Sequence, residues 1–312
     1  MKALLQIVRL AAADRTSAWA LATLVRTKGS TYRKPGARLL ADEQGRTIGV
    51  LSGGCLEEEI ARQAGEIIAD GQCRLLEFDT RRLYGCDGKV EILVEPISAA
   101  GGNGNLLTAI GDRLASREIV RVRTRYEGPI LGSDLLPVEA LVTETEGTLI
   151  HSIPLPVRLL LFGAGPEIEP LCLLGSSLGW LIEQAAHPSA LTINFRPDAQ
   201  TAALIMTHNF GRDLAALDRL LPLDLPYIGL LGPRKRHAEL LARLHDFHEV
   251  NPAWLENLHA PAGLDIGSES PEEIALSIVS EVAAVLAKRR GGFLRDRATA
   301  IHDPVVCSRK VA

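Results

Sequence analysis

A cysteine beside two glycines is the first candidate for chemistry in this 312-residue chain. The segment Ser52, Gly53, Gly54 and Cys55 follows a strand-like run at 46–51 and precedes a helical pattern. A helix start has unpaired backbone N–H groups and about half a positive charge. A thiol there ionises more readily, and the thiolate is the nucleophile and the metal ligand. The pattern predicts a sulfur ligand or nucleophile beside an anion-binding backbone, unless Cys55 is only a small buried apolar residue.

Further candidates of the same kinds occur in both halves of the chain. Cys86 lies in a second glycine-flanked loop, and Arg33 and Lys34 lie beside a Pro-Gly pair. Arg234 opens a basic run that follows a strand and begins a helix. Arginine, lysine and helix-start N–H groups bind phosphate well, although a basic run is more often a solvated face. These bases are therefore either phosphate contacts or surface charges.

Gly163 and Gly165 follow an apolar run that is typical of a buried parallel strand, as at the opening of a Rossmann-like unit. The dinucleotide-binding fingerprint is Gly-x-Gly-x-x-Gly/Ala, and this sequence departs from it at the last position, which is Ile168. Glu167, in the first helical turn, would oppose a pyrophosphate. No carboxylate follows the second strand, where Ala186 takes the expected place. The pattern favours a Rossmann scaffold with another task over tight binding of NAD(P).

Two more polar residues in this half are candidates for binding. His208 comes directly after a buried run, so it is expected at the carboxyl edge of the sheet, where open α/β folds bind ligands. It could donate to an anion, shuttle a proton or only cap the next helix. Asp265 lies in a glycine-rich turn and is either a turn acid or a ligand contact.

The elements around these motifs predict an α/β protein with a division near residue 150. Residues 1–150 are expected to form a mixed α+β domain with β-hairpins, and residues 151–312 a Rossmann-like domain with a parallel sheet. Residues 151–156 include two prolines and are the expected linker. In the second half, helical patterns cover 167–178, 213–221, 234–246 and 271–289.

Composition narrows the function classes. The net charge is −4 and only 4% of residues are aromatic, which argues against a nucleic-acid surface or an anionic membrane as partner. The apolar runs are far shorter than the ~20 residues of a membrane span, and the pattern of the first residues is not the one expected of a signal peptide. Five scattered cysteines without a CxxC pair indicate reduced thiols in a cytoplasmic protein.

Taken in order, the motifs resemble the xanthine dehydrogenase accessory factor family, also called XdhC/CoxI. The first half has Gly-Ser-Thr-Tyr-Arg-Lys-Pro-Gly-Ala at 29–37, Ser-Gly-Gly-Cys-Leu-Glu at 52–57 and Tyr-Gly-Cys-Asp-Gly at 84–88. The second half has Phe-Gly-Ala-Gly at 162–165, Thr-His at 207–208, Tyr-Ile-Gly at 227–229, Ala-Pro-Ala-Gly-Leu-Asp-Ile-Gly at 260–267 and Pro-Glu-Glu-Ile-Ala at 271–275. The resemblance implies a protein that binds the molybdenum cofactor, protects it during sulfuration by a cysteine desulfurase, and inserts it into a xanthine dehydrogenase-like apoenzyme.

The residues of the family motifs can be compared with those of this chain one by one. Cys55 and Cys86 match the two family cysteines, whereas Asp87, Pro166 and Pro233 replace residues that are usual in the family. We expect Cys55 to contact the molybdenum–sulfur end of molybdopterin as a metal ligand, with Cys86 nearby, because thiolate suits a soft metal centre. The expected cofactor-binding residues are Arg33, Lys34, Ser52, Gly53, Gly54, Cys55, Cys86, Gly163, Gly165, His208, Arg234 and Asp265.

Two other functions remain open at this point. The Rossmann-like half could serve an NAD(P)-dependent oxidoreductase, or the chain could be a chaperone that binds the apoenzyme without cofactor. We favour a maturation factor that binds molybdopterin transiently over a turnover enzyme. We also expect a homodimer, since a site between Cys55 and the Rossmann-like half could form within one chain or across two.

Overall fold

The computed structural model describes residues 1–13, 17–29, 31–79, 88–97, 106–140, 143, 145–185, 195–247 and 250–298. Cys86 and Ala186 therefore lie outside the described residues. The chain forms two compact units, Met1–Pro156 and Val157–Ala312.

The first unit contains a five-stranded antiparallel sheet in the order β3-β2-β1-β5-β4. Its strands are β1 (Trp19–Gly29), β2 (Arg38–Asp42), β3 (Thr47–Gly49), β4 (Arg74–Asp79) and β5 (Gly88–Ile97). Helix α2 (Cys55–Asp70) places Leu56, Ile60 and Ile67 against one face of this sheet. The other face packs against α1 (Lys2–Ala13) and α3 (Leu106–Ala115). Alternating side chains of the central strands therefore enter two separate apolar layers.

A smaller antiparallel sheet in the order β7-β6-β8 completes this unit. Its strands are β6 (Val120–Arg125), β7 (Gly132–Leu136) and β8 (Thr148–Ile153). Val120 and Val122 pack against Ile110 and Leu114 of α3. The first half of the predicted linker is thus a strand: residues 151–153 end β8, and only 154–156 connect it to the second unit.

The second unit is a five-stranded parallel sheet in the order β10-β9-β11-β12-β13. Its strands are β9 (Arg158–Gly163), β10 (Leu181–Ala185), β11 (Thr201–Met206), β12 (Tyr227–Leu230) and β13 (Leu258–His259). Helices α5 (Phe210–Leu220) and α6 (Arg234–Phe247) pack on one face, and α4 (Ile168–Leu178) and α7 (Pro271–Leu286) on the other. The predicted α/β class, with a mixed first half and a Rossmann-like parallel sheet in the second, is confirmed.

Helix α7 illustrates how local sequence sets an element boundary. Ser270 accepts a hydrogen bond from the Glu273 N–H, the Glu273 carboxylate accepts one from the Ser270 N–H, and Pro271 is the first helical residue. This capping box satisfies N–H groups that the helix start leaves unpaired. None of the helices that the structure describes is long and apolar enough to cross a membrane.

Candidate functional site

The Ser-Gly-Gly-Cys turn is closed by a carboxylate from the helix that it begins. Helix α2 starts at Cys55, directly after Gly54, whose φ of 130° lies in the region that favours glycine. The Glu57 carboxylate accepts hydrogen bonds from the N–H groups of Leu51 at 2.7 Å, Ser52 at 2.6 Å and Gly54 at 3.1 Å. It also accepts one from the Ser52 hydroxyl at 2.5 Å. The backbone before Cys55 is therefore fixed by Glu57.

Glu57 changes the expected electrostatics of this turn. Three N–H groups that the sequence suggests for binding an external anion are already paired with the Glu57 carboxylate. Burial opposes the ionisation of Glu57, but hydrogen bonds from Ser52 and Leu51 outweigh it, so its pKa is lowered from the usual 4.5. Sequence reasoning missed this residue. Its signal was a glutamate three residues after the helix cap at Gly54, which is the capping-box spacing.

Arg33 lies against the same turn from the neighbouring loop. Its Nε donates to the carbonyl oxygen of Val50 at 3.2 Å, just before the Ser-Gly-Gly-Cys segment. Lys34, the next residue, is exposed. Tyr32 and Val50 are also exposed, Tyr32 to 75%. The structure therefore places the Arg33 guanidinium beside the backbone that leads into the Ser-Gly-Gly-Cys turn.

At the carboxyl edge of the parallel sheet, β9 and β11 approach each other closely. A Cβ at Gly163, whose φ is 128°, would overlap the carbonyl group of Met206. Only glycine fits without moving the backbone. In this sheet order β9 stands between β10 and β11, so their tips form the switch point at which open α/β sheets bind ligands.

Gly165, Glu167 and His208 meet at this switch point. A Cβ built on Gly165 would lie 2.6 Å from Glu167 Oε2 and 3.1 Å from His208 Nε2. His208 is exposed, with a left-handed φ of 54°. Its turn is held by Thr207, whose hydroxyl accepts a hydrogen bond from the Asn209 N–H at 3.2 Å. The missing side chain of Gly165 thus brings a carboxylate and an imidazole together.

A buried aspartate ties this edge to the next loop. Asp213, 1% exposed, accepts hydrogen bonds from the Thr207 N–H at 3.2 Å and the Thr207 hydroxyl at 2.5 Å. Its other oxygen pairs with Arg236 at 2.6 Å. Both loops that flank His208 are therefore held by one fully paired carboxylate.

Comparison with known proteins identifies the family. The profile of the XdhC and CoxI family matches residues 12–79, and that of the XdhC Rossmann domain matches residues 159–282, which together cover more than half of the chain. The chain belongs to the XdhC and CoxI family. The two matched segments contain all the motifs that carried the resemblance in the sequence except Tyr-Gly-Cys-Asp-Gly at 84–88.

Relatives of this XdhC/CoxI protein extend over most of its length. A Bacillus subtilis protein whose name describes it as a probable xanthine dehydrogenase subunit is 29% identical and covers 84% of this chain and 91% of its own. The molybdenum cofactor insertion chaperone PaoD of Escherichia coli is 26% identical and covers 85% of this chain and 82% of its own. A crystal structure of a xanthine dehydrogenase from Bacillus halodurans superimposes with a TM-score of 0.74, at 26% identity, over 92% of this chain and 96% of that one.

The remaining predicted residues of this XdhC/CoxI chain lie apart in each unit. Arg234 is exposed at the first residue of α6, and Asp265 is exposed in the loop between β13 and α7. Arg234 follows a strand, as predicted, but no described contact joins Arg234 or Asp265 to Gly165 or His208. Gly53 is exposed, and a Cβ there would meet no atom within 4 Å, so packing does not require glycine at that position. The described residues contain no group of three or more metal-ligating side chains.

A buried polar layer in the first unit was also missed. Arg38, 6% exposed, donates to the Gly36 carbonyl at 3.3 Å, and its Nε and Nη2 have no partner among the described residues. The His151 ring packs directly on Gly36. Burial and the charge of Arg38 lower the pKa of His151 to about 4, while burial raises the pKa of Glu95, which accepts from Ser133. Isolated polar residues in strands give no sequence signal of such a layer.

Proposed function

We propose that this chain binds the molybdenum cofactor, supports its sulfuration and inserts it into a xanthine dehydrogenase-like apoenzyme. Membership of the XdhC and CoxI family supports a maturation role, and the relative PaoD is named a molybdenum cofactor insertion chaperone. The observation that carries the proposal is the turn at Cys55. A cysteine begins a helix, and the backbone before it is fixed by the Glu57 carboxylate.

The cofactor is cargo with two chemically different ends. Its molybdenum is bound by sulfur, which a thiolate suits as a soft ligand, and its phosphate is an anion. In the proposal, Cys55 contacts the molybdenum–sulfur end. A helix start favours the thiolate form that such a contact requires. The fixed turn keeps the position of this contact constant without reorganisation of the backbone on binding.

The anionic oxygens of the cargo would be held by side chains, since Glu57 already pairs with three N–H groups of the turn. Arg33 is the first candidate because it contacts Val50 beside the turn and its guanidinium can bind two phosphate oxygens at once. Lys34 follows it on the same exposed loop. Cys86 completes the proposed set near Cys55, although it lies outside the described residues.

The role also requires partners. We propose that a cysteine desulfurase supplies the sulfur, that a xanthine dehydrogenase-like apoenzyme receives the cofactor, and that the protein acts as a homodimer in the cytoplasm. The expected domains, 1–150 and 151–312, would divide the work.

Retention of molybdopterin tests the proposal. Purified protein is incubated with molybdopterin, passed over a desalting column and analysed for bound pterin and molybdenum. Cys55→Ala should retain at least about tenfold less molybdopterin than the wild type, as expected for loss of a metal ligand. Cys172→Ala, which removes a half-buried thiol in α4, is the matched control. Equal retention by Cys55→Ala and the wild type would remove Cys55 from the mechanism.

A second arm separates the cofactor role from a cofactor-free chaperone. The protein is mixed with the target apoenzyme, with and without molybdopterin, and co-purification is measured. The proposal predicts that molybdopterin is transferred to the apoenzyme and restores its activity. Stable capture of the apoenzyme with no transfer of cofactor would instead support a chaperone that recognises only the protein partner.

A further inference from the structure

The switch point of the parallel sheet contains a carboxylate oxygen that no protein group satisfies among the described residues. Glu167 is 7% exposed, and its Oε2 has no hydrogen-bond partner in that part of the chain. Buried polar atoms are nearly always hydrogen-bonded, because an unpaired one retains the full cost of its lost hydration. The contacts within the protein therefore do not explain why a carboxylate is buried at this position. A hydrogen-bond donor on a bound ligand would pair with its free oxygen.

The position of this oxygen is set by Gly165. Glu167 Oε2 lies 2.6 Å from the point where a Gly165 Cβ would be, and His208 Nε2 lies 3.1 Å from that point. The Cε of Met206 borders the same point at 3.6 Å. An acceptor, a possible donor and an apolar contact thus lie within 3.6 Å of one point beside Gly165, which leaves no room for a side chain there.

This arrangement is unsuited to a phosphate. In dinucleotide-binding units the pyrophosphate lies at the helix start after the glycine turn, where N–H groups and the helix dipole attract it. Here Glu167 is the residue directly before α4, its side chain makes no capping hydrogen bond, and its negative charge lies beside the turn. A second anion would be repelled, whereas a neutral group with N–H donors would be attracted.

We propose that Glu167 and His208 bind the aminopyrimidinone edge of a pterin or guanine ring. The inference rests on the proposed function, since the cofactor that the chain is proposed to carry contains such a pterin. This edge presents an amino group, a ring N–H and a carbonyl oxygen in a row. A carboxylate accepts from the first two in parallel, in the bidentate geometry of an arginine–carboxylate pair.

His208 completes the match to that edge. The N–H of its imidazole donates to the carbonyl oxygen, which lies beside the ring N–H. Two acceptors followed by one donor on the protein complement two donors followed by one acceptor on the ligand. Adenine presents a different order of groups and does not satisfy both residues. The Cε of Met206 contacts the ring, for which a flexible thioether is well suited.

The left-handed backbone of His208 gives the site a second support. A non-glycine residue rarely adopts a φ of 54°, and such conformations cluster where function requires a particular placement. The turn is held by Thr207, which Asp213 anchors. His208 is therefore kept over Gly165 by a chain of hydrogen bonds that its own side chain does not join.

A pair of ligands tests the proposal directly. Pterin and lumazine differ in one group: lumazine has a carbonyl oxygen where pterin has the amino group. Binding to the wild-type protein is measured by fluorescence anisotropy, with guanosine and adenosine titrated as competitors. We expect pterin to bind at least about tenfold more tightly than lumazine, since an unpaired acceptor replaces a charge-assisted hydrogen bond. An inhibition constant of guanosine well below the Kd of pterin would identify a nucleotide base as the natural ligand, and the reverse would identify the pterin.

Variants locate the site within the protein. Glu167→Gln should lower pterin affinity by about tenfold or more and reduce the preference over lumazine, because the amide offers one acceptor in place of two. Glu169→Gln, an exposed glutamate on the same helix start, is the matched control and should bind as the wild type does. Gly165→Ala should also weaken binding, since its Cβ would displace Glu167 and His208. Circular dichroism and thermal unfolding confirm that each variant folds.

The outcomes separate this inference from the proposed function. Equal binding of pterin and lumazine, or unchanged affinity in Glu167→Gln, overturns the inference even if molybdopterin is retained through Cys55. Selective pterin binding that Glu167→Gln abolishes supports it. If that selectivity is found but molybdopterin is not retained, the proposed function fails and the aminopyrimidinone site stands.

Discussion

The Glu57 carboxylate accepts two hydrogen bonds from Ser52, one from its N–H at 2.6 Å and one from its hydroxyl at 2.5 Å. The Ser52 hydroxyl also accepts a hydrogen bond from the Leu56 N–H at 3.3 Å. The serine and the glutamate of the Ser-Gly-Gly-Cys-Leu-Glu motif therefore act as one unit. Together they determine the path of the two glycines and of the backbone that leads into Cys55.

Replacing Glu57 should therefore loosen the turn. Glu57→Gln is expected to lower the free energy of unfolding by about 1 to 2 kcal/mol, because charged hydrogen bonds to N–H groups are lost. It should also raise the rate at which Cys55 reacts with a thiol reagent. Urea unfolding and a thiol assay measure the two effects. Glu58→Gln, exposed on the same helix, is the control. An equal loss in both variants would show that only helix-start charge is involved.

The effect of Glu57 should depend on pH in a defined direction. Its pKa in the folded protein is lowered from the usual 4.5, so its stabilisation is present above that value and is lost as the pH falls through the folded pKa. The difference in unfolding free energy between wild type and Glu57→Gln should therefore be full at pH 6 and shrink below pH 4.5. A difference that stays constant with pH would show that Glu57 acts through packing.

His151 should make the first unit sensitive to mild acid. Burial and the charge of Arg38 lower its pKa from 6.5 to about 4. Below pH 6.5 His151 becomes protonated in the unfolded chain but stays neutral in the folded one. The free energy of unfolding is therefore highest above pH 6.5 and declines towards pH 4. The loss is on the order of 3 kcal/mol. Urea unfolding between pH 7 and pH 4.5 measures it. His151→Phe, which keeps the ring against Gly36, should remove most of this slope.

Gly163 should tolerate no side chain. Gly163→Ala is expected to cost about 2 to 4 kcal/mol, since its Cβ would overlap the Met206 carbonyl and its φ of 128° disfavours alanine. Gly292→Ala is the control, because a Cβ there meets nothing within 4 Å. Thermal unfolding compares the two. Equal melting temperatures would mean that β9 and β11 separate at their tips without cost.

NADH should not stabilise the protein. A ligand that binds only the folded state raises its stability by about 2.7 kcal/mol at a concentration one hundred times Kd. The Glu167 carboxylate occupies the helix start where a pyrophosphate would bind, so we expect no change in melting temperature with NADH or NADPH. A rise that saturates with cofactor concentration would favour the oxidoreductase alternative.

The elements of the second unit follow closely from its sequence. The predicted helix 234–246 is Arg234–Phe247, and the predicted 271–289 is Pro271–Leu286. Buried strands with continuous apolar side chains and helices with clear caps give strong local signals. The elements of the first unit were harder to predict from its sequence. Residues 26–29 have a polar sequence that gives no strand signal, yet they extend β1 because they pair with β5, far along the chain.

In the candidate site too, local features were predicted from the sequence and longer-range contacts were not. The sequence located Cys55 at a helix start and His208 after a buried strand, because both positions depend on local pattern. It did not predict that Glu57 binds the turn, nor that Glu167 lies under Gly165. Those relationships depend on the conformation of a single side chain, which turns back towards its own backbone. The hydrophobic periodicity of a sequence does not predict such a conformation.

The order of the parallel sheet also bears on how a ligand bound at Glu167 and His208, as proposed, would leave. Gly165 and His208 follow β9 and β11, and every residue of β11 is buried. Amide hydrogens in such central strands exchange with solvent only when the whole unit opens. Release from this edge therefore cannot proceed by local unfolding of the strands beneath it. Unloading would have to come from small movements of exposed side chains, or from an apoenzyme that binds the same ligand more tightly.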